Sequence, residues 1–116
     1  MTTDNPLPSF FRVRQRFESH RLEDIPAAVK ETLAGAAIAQ EIQPGQRVAI
    51  SVGSRGINNL GEIVGAIVRE IEVIGAQPLI VPTMGSHGGA TAEGQAKVLA
   101  TYGVTESAMG CPVVSS

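Results

Sequence analysis

Tryptophan is missing from these 116 residues, cysteine and tyrosine occur once each, and phenylalanine occurs three times. With so few aromatics, a core has to be built from Val, Ile, Leu and Ala, the mixture common where helices cover a parallel sheet. One cysteine, Cys111, excludes an internal disulfide and a cysteine-rich zinc site, which makes a reducing compartment the default. Net charge is also scarce. The formal value of −2 at pH 7 gives no general attraction to nucleic acid or to an anionic membrane. No apolar run approaches the about 18 residues needed to cross a bilayer, and Met1 to Pro8 lack the basic start and apolar core of a signal peptide. These absences predict a cytoplasmic protein with neither nucleic-acid nor membrane partners.

What the chain does have is glycine, 13 residues of it, and a four-residue phrase spelled twice with one change: Gly53-Ser54-Arg55-Gly56 and Gly85-Ser86-His87-Gly88. Each copy follows a strand-like apolar run and leads into a helix-like segment. In a parallel α/β sheet that junction is where ligands bind. The copies begin 32 residues apart, about one βαβ unit, so both loops are expected on neighbouring strands facing one cleft.

The rest of the chain reads as β-α-β-α with short links, a Rossmann-like parallel α/β pattern that calls for a right-handed crossover. Residues 1–22 are expected to form an arm and an edge strand. Within them Phe11, Val13, Gln15 and Phe17 alternate with Arg12, Arg14 and Arg16 at the period of a strand. The arginine stripe suits phosphate or a partner's carboxylates, but the polar face of an edge strand explains it as well and is favoured. Residues 23–116 are expected to be the α/β domain. Asp24 is a candidate N-cap, with Pro26 in the first turn of a helix reaching about Gln40 and Val29, Leu33, Ala36 and Ala37 inside. The run from Arg47 to Val52 reads as a strand buried on both faces.

Asn59 with Glu62 three residues on has the spelling of a capping box. After it Leu60, Ile63, Val64, Ile67, Val68 and Ile71 recur at helical steps, with Gly75 as the stop. Pro78 to Pro82 reads as a short strand, and Thr91 as the cap of a last helix with Ala96, Leu99 and Ala100 inward and Gly103 at its end. Cys111 to Ser116 reads as entry into another strand. Since very small sheets are marginal without more strands or helix packing, the expectation is the front part of a larger protein, one that exposes a cleft face and a sheet edge and has scope to oligomerise.

His87 is the large side chain in a loop that Gly85, Gly88 and Gly89 otherwise clear for backbone N–H groups to approach a ligand, with Ser86 beside it and the Thr91 helix end beyond. A helix N-terminus favours the neutral imidazole that a general base needs. A turn-capping or solvent-facing histidine is the bland alternative, and the flanking glycines tilt the reading towards function. Arg55 stands at the second glycine position of a Gly-x-Gly-x-x-Gly fingerprint and Asn59 near the third, which argues against a standard NAD loop. Arg55 suits a bidentate grip on phosphate or carboxylate, an exposed turn arginine being the alternative, and Ser54 with Asn58 or Asn59 can add neutral hydrogen bonds. His20 reads as a surface residue. Cys111 reads as buried and inert.

At the two loops the chain resembles the nickel-pincer-dependent lactate racemase family, over about residues 45–105. There the first loop typically reads Asp-x-Thr-Arg-Pro and the second Gly-x-His-Arg-x-x-Thr. Here Ser54 and Arg55 keep the hydroxyl and the arginine, with Val52 for the aspartate and Gly56 for the proline, while Gly85, His87 and Thr91 are kept and Gly88 replaces the second arginine. The resemblance implies the N-terminal domain of a racemase or epimerase acting on a 2-hydroxy acid by hydride and proton transfer. It also implies a nickel-pincer nucleotide in a cleft closed by a C-terminal domain of the same protein. His87 would be one of two proton-exchanging histidines and the only catalytic residue on this chain. Ser54, Arg55, Gly85, Ser86, Gly88, Gly89 and Thr91 would approach cofactor or substrate. The cofactor-bearing lysine and the metal-binding histidine would lie beyond Ser116, so no metal ligand is expected here and the chain alone should be inactive. The other readings are a nucleotide- or phosphosugar-binding α/β domain of another enzyme class and a non-catalytic regulatory relative.

Overall fold

A computed structural model describes residues 9–18 and 20–115, without the side chains of residues 38 and 39. The expected arm at Met1 to Pro8, and Ser116, lie outside the described residues.

The architecture is mixed α/β, with a two-stranded parallel sheet: β1 (Arg47–Val52) pairs with β2 (Gln77–Pro82). Arg47 stands opposite Gln77 and Val52 opposite Pro82, so the two strands end level and their following loops start side by side. The connection is α3 (Leu60–Val73), the clearest helix of the sequence. Leu60, Val64, Val68 and Ile71 of its stripe are buried, while Ile63 and Ile67 are half-buried. With Val52, Ile80, Leu99, Val104 and Cys111 they form the core, in which Ile80 and Leu99 are wholly inaccessible. Gly75, at φ +87, ends α3 as expected.

Preceding the sheet are α1 (Ile25–Gly35) and α2 (Ile38–Glu41). The Asp24 carboxylate accepts from the Ala27 N–H at 2.9 Å, and Pro26 sits in the first turn. The single helix expected to Gln40 is broken instead, at Ala36, which adopts extended backbone after Gly35. Gly is a poor helix former, and no α1 residue is buried to hold a longer helix in place. Ala37, expected inside, is exposed.

Following the sheet, a short turn (His87–Ala90) leads into α4 (Ala92–Thr101), and α5 (Glu106–Met109) closes the order. Thr91 caps α4 through the Gly94 N–H at 3.1 Å, Glu93 lies in its first turn, and Gly103 follows its end at φ +77. Leu99 is buried, but Ala100, expected inward, is exposed one helical step away.

Two further expectations fail, and a third holds only in part, for reasons of partnership. Residues 11–17 form no strand, and Phe11, Val13 and Phe17 are 84%, 75% and 76% exposed. Alternation supplies two faces but no ladder, and among the described residues no neighbouring strand bonds that backbone. β1 is not buried on both faces: Arg47, Ala49 and Ser51 are exposed while Val48, Ile50 and Val52 turn inward, because the strand sits at the edge of a two-stranded sheet. The strand expected after Cys111 is a single parallel bridge, Ile80 with Val113, whose Val114 N–H donates to the Ile80 carbonyl at 2.8 Å.

Among the described residues no helix is long and apolar enough to cross a membrane.

Candidate functional site

Because β1 and β2 are parallel and end in register, the two glycine phrases emerge together at the carboxyl end of the sheet, and the Thr83 N–H donates to the Val52 carbonyl at 2.8 Å to hold them together. Between them lies an open cleft of about 520 Å³ lined by Gly53, Ser54, Arg55, Thr83, Met84, Gly85, Ser86 and His87.

His87 joins the two loops. Its Nδ1 lies 2.6 Å from Ser54 Oγ, and its Nε2 contacts the Arg55 guanidinium. Elementary hydrogen-bond capacity fixes the direction of both bonds. A guanidinium has donors and no acceptor, so Nε2 accepts, the ring proton resides on Nδ1, and Nδ1–H donates to Ser54 Oγ. In this state the Ser54 hydroxyl keeps its own hydrogen, so it is an acceptor for the ring and not a nucleophile activated by it. Ser54 is 8% exposed, and its carbonyl accepts from the Tyr102 hydroxyl at 2.8 Å. Arg55 is exposed, with no carboxylate in salt-bridge reach among the described residues.

The second loop is a left-handed turn. Gly85, Gly88, Gly89 and Ala90 all have positive φ, +60, +65, +68 and +55. Gly88 lies against the backbone of Gly94 so closely that an added Cβ would meet Gln95 N at 2.5 Å and the Gly94 carbonyl at 2.6 Å. Thr91 Oγ1 also donates to the Gly88 carbonyl at 3.1 Å, and Gln95 Nε2 donates to the Gly85 carbonyl at 2.9 Å.

Of the residues that the sequence singles out, Ser54, Arg55, Gly85, Ser86 and His87 line the cleft. Gly88 and Thr91 are engaged with α4, and Asn58 and Asn59 line a separate apolar groove of about 540 Å³ between α1, α3 and residues 20–22. The exposed His20 lines that groove too. The Asn59–Glu62 capping box does not form. Asn59 is left-handed at φ 55 and makes no side-chain cap bond, since a capping side chain needs extended backbone at that position to reach back.

Two residues escape sequence reasoning. Tyr102 and Gln95 support the loops from α4 and its end, across 48 and 10 residues of chain. The available signal was Gly61 and Gly94, glycines inside helices where close backbone approach is the usual cause. A Cβ on Gly61 would meet the Tyr102 carbonyl at 2.5 Å.

Cys111 is buried, as expected. Burial pushes its thiol up, and the Glu72 and Glu106 carboxylates push in the same direction, so the neutral, unreactive form is favoured.

Comparison of the chain with protein-family models, curated proteins and solved structures gives no match.

Proposed function

We propose that the cleft between the two glycine loops binds a small organic acid, and that the chain is the N-terminal, Rossmann-like domain of a cytoplasmic racemase or epimerase acting on a 2-hydroxy acid. One observation carries the reading: parallel strands of matched length bring Arg55, an anion receptor, against His87, a proton acceptor whose ring is held by buried Ser54. Arg55 holds the carboxylate, and His87 Nε2 takes the proton of the 2-hydroxyl. A hydride acceptor bound in the cleft would take the C2 hydrogen to leave the 2-oxo acid, and its return to the opposite face of C2, with a proton restored to the oxygen, would invert the centre. Ser54 keeps the ring oriented and accepts from Nδ1–H throughout.

The donors in the cleft fit the anionic part of a nickel-pincer nucleotide but not its metal. Among the described residues no three His, Cys, Asp or Glu side chains come together to hold an ion. When bound, such a cofactor supplies the hydride acceptor, and its ligands are assigned to a further domain of the same protein, facing this cleft. The occupation of both His87 nitrogens favours a second reading, in which the histidine only helps Arg55 bind phosphate in another class of α/β enzyme.

The test is lactate racemisation in D₂O by the intact protein. His87→Gln should lower turnover about 10²- to 10⁴-fold, the usual contribution of a general base, and the 2-hydrogen should be retained in the product. Wild-type turnover in the variant would remove His87 from catalysis. Phosphate binding without racemisation would establish the second reading.

A further inference from the structure

The proposed role of His87 meets an obstacle in its own surroundings. The lone pair that would take a proton is already occupied by Arg55. Once Nε2 is protonated it has no lone pair to offer a guanidinium, and two cations are left face to face. Arg55 must therefore leave Nε2 before His87 can act.

We infer that Arg55 is a displaceable cap on the His87 Nε2 lone pair, removed when an anionic ligand takes over the guanidinium, so that the cleft answers to acids and not to their neutral analogues. This rests on the proposed reading of the site and adds to it the rule by which the site recognises charge.

The two sides of the imidazole are built differently. On the Nδ1 side, Ser54 is buried, lies 2.6 Å from the ring, and is itself held through its carbonyl by Tyr102. That side stays. On the Nε2 side, Arg55 is exposed at the rim, and the imidazole is its single hydrogen-bond partner among the described residues. A neutral imidazole offers a guanidinium one lone pair. A carboxylate or phosphate offers two oxygens for a bidentate grip and a full negative charge opposite the guanidinium, neither of which the neutral imidazole supplies. An anion entering the cleft therefore wins the guanidinium and frees the base in the same event. An amide of the same shape lacks the charge to do so. Ser54 is a positioning residue in this scheme, since it prevents the ring from turning to offer its other nitrogen.

The experiment follows the imidazole nitrogens by ¹H–¹⁵N correlation at about pH 8, where an ordinary histidine is neutral. It uses the 116-residue chain carrying His20→Gln, which leaves His87 the only histidine of these 116 residues. Lactate, its neutral counterpart lactamide, and inorganic phosphate are titrated at constant ionic strength. We expect Nδ1 protonated without ligand, an Nε2 shift on adding lactate that Arg55→Gln reproduces without ligand, and no shift with lactamide. In Arg55→Gln the apparent affinity for lactate should fall roughly 10- to 150-fold, the loss of a charge-assisted pair. An unchanged Nε2 signal in ligand-free Arg55→Gln overturns the cap, as do equal effects of lactate and lactamide, or silence with both anions. A response to phosphate but not lactate upholds the cap and moves the ligand away from 2-hydroxy acids. Racemisation by the intact protein, together with an Nε2 signal in this chain that ignores Arg55, keeps the proposed function and discards the cap.

Discussion

The two loops share three of four residues, Gly-Ser-x-Gly, yet their shared letters are used differently. In the first loop the serine is the anchored element: Ser54 is buried, bonds His87, and is held by Tyr102. In the second, Ser86 is exposed and the glycines are the anchored element, Gly88 fitting against Gly94 at a φ that side chains avoid. The variable position tells the same story. Arg55 reaches out from a loop held by its serine, while His87 is half-buried in a loop held by its backbone. A repeated phrase is therefore evidence of repeated placement after a strand, not of repeated chemistry within the loop.

Substituting the glycines breaks the comparison most severely. Gly88→Ala combines left-handed strain with a Cβ driven into the Gly94–Gln95 backbone, and should destabilise the protein by about 2–5 kcal/mol, strain and overpacking together. Gly89→Ala, at nearly the same φ but with open space around its Cβ, should lose about 1–2 kcal/mol from strain alone. In the first loop, Gly53→Ala meets only the Thr83 carbonyl at 3.9 Å and should stay within about 0.5 kcal/mol. Denaturant unfolding of the three variants checks the order. Equal losses at Gly53 and Gly88 would mean that the loops are anchored alike.

How far these roles could be read from the sequence depends on the range of the interaction. The α3 stripe, the β1 and β2 spans, the Asp24 and Thr91 caps and the approach of Arg55 to His87 were legible because each follows from local periodicity or from parallel strands of equal length. The failures were positions whose state is set from a distance. Residues 11–17 carry a strand's alternation without a neighbour to pair with among the described residues. Asn59 has a cap's spelling, but its backbone turns left-handed as the chain delivers Leu60 to the core. The glycines of the second loop read as an opening for a ligand, and Gly88 is instead a contact with a helix that starts four residues later.

Serine substitution sharpens the comparison with a smaller effect. Ser54→Ala removes the acceptor of Nδ1–H in a partly buried place and should destabilise the protein by about 1–3 kcal/mol, the range for a buried group left without its partner. It should also loosen the orientation of the His87 ring, visible as a changed Nδ1 signal in the imidazole ¹⁵N spectrum. Ser86→Ala changes an exposed hydroxyl and should stay within about 0.5 kcal/mol. A loss at Ser86 matching that at Ser54 would give the two serines the same task.

Tyr102→Phe is the smallest change and isolates the anchor of the first loop. It deletes one hydroxyl that donates to the Ser54 carbonyl at 2.8 Å and leaves the ring, which is 40% exposed, in place. A hydrogen bond of this kind contributes about 0.5–1.5 kcal/mol net, and the exposed setting lets water replace part of it, so the expected loss lies near the lower end. Location is the better readout. Amide hydrogen exchange should quicken at residues 53–56, whose support is removed, and stay unchanged at residues 85–90, whose support comes from Gly94 and Gln95 on α4 and from its cap Thr91. Because α4 precedes Tyr102 directly, a general loosening of that helix would speed both loops together. Faster exchange in both would therefore show that Tyr102 steadies α4, and that the first loop has no anchor of its own.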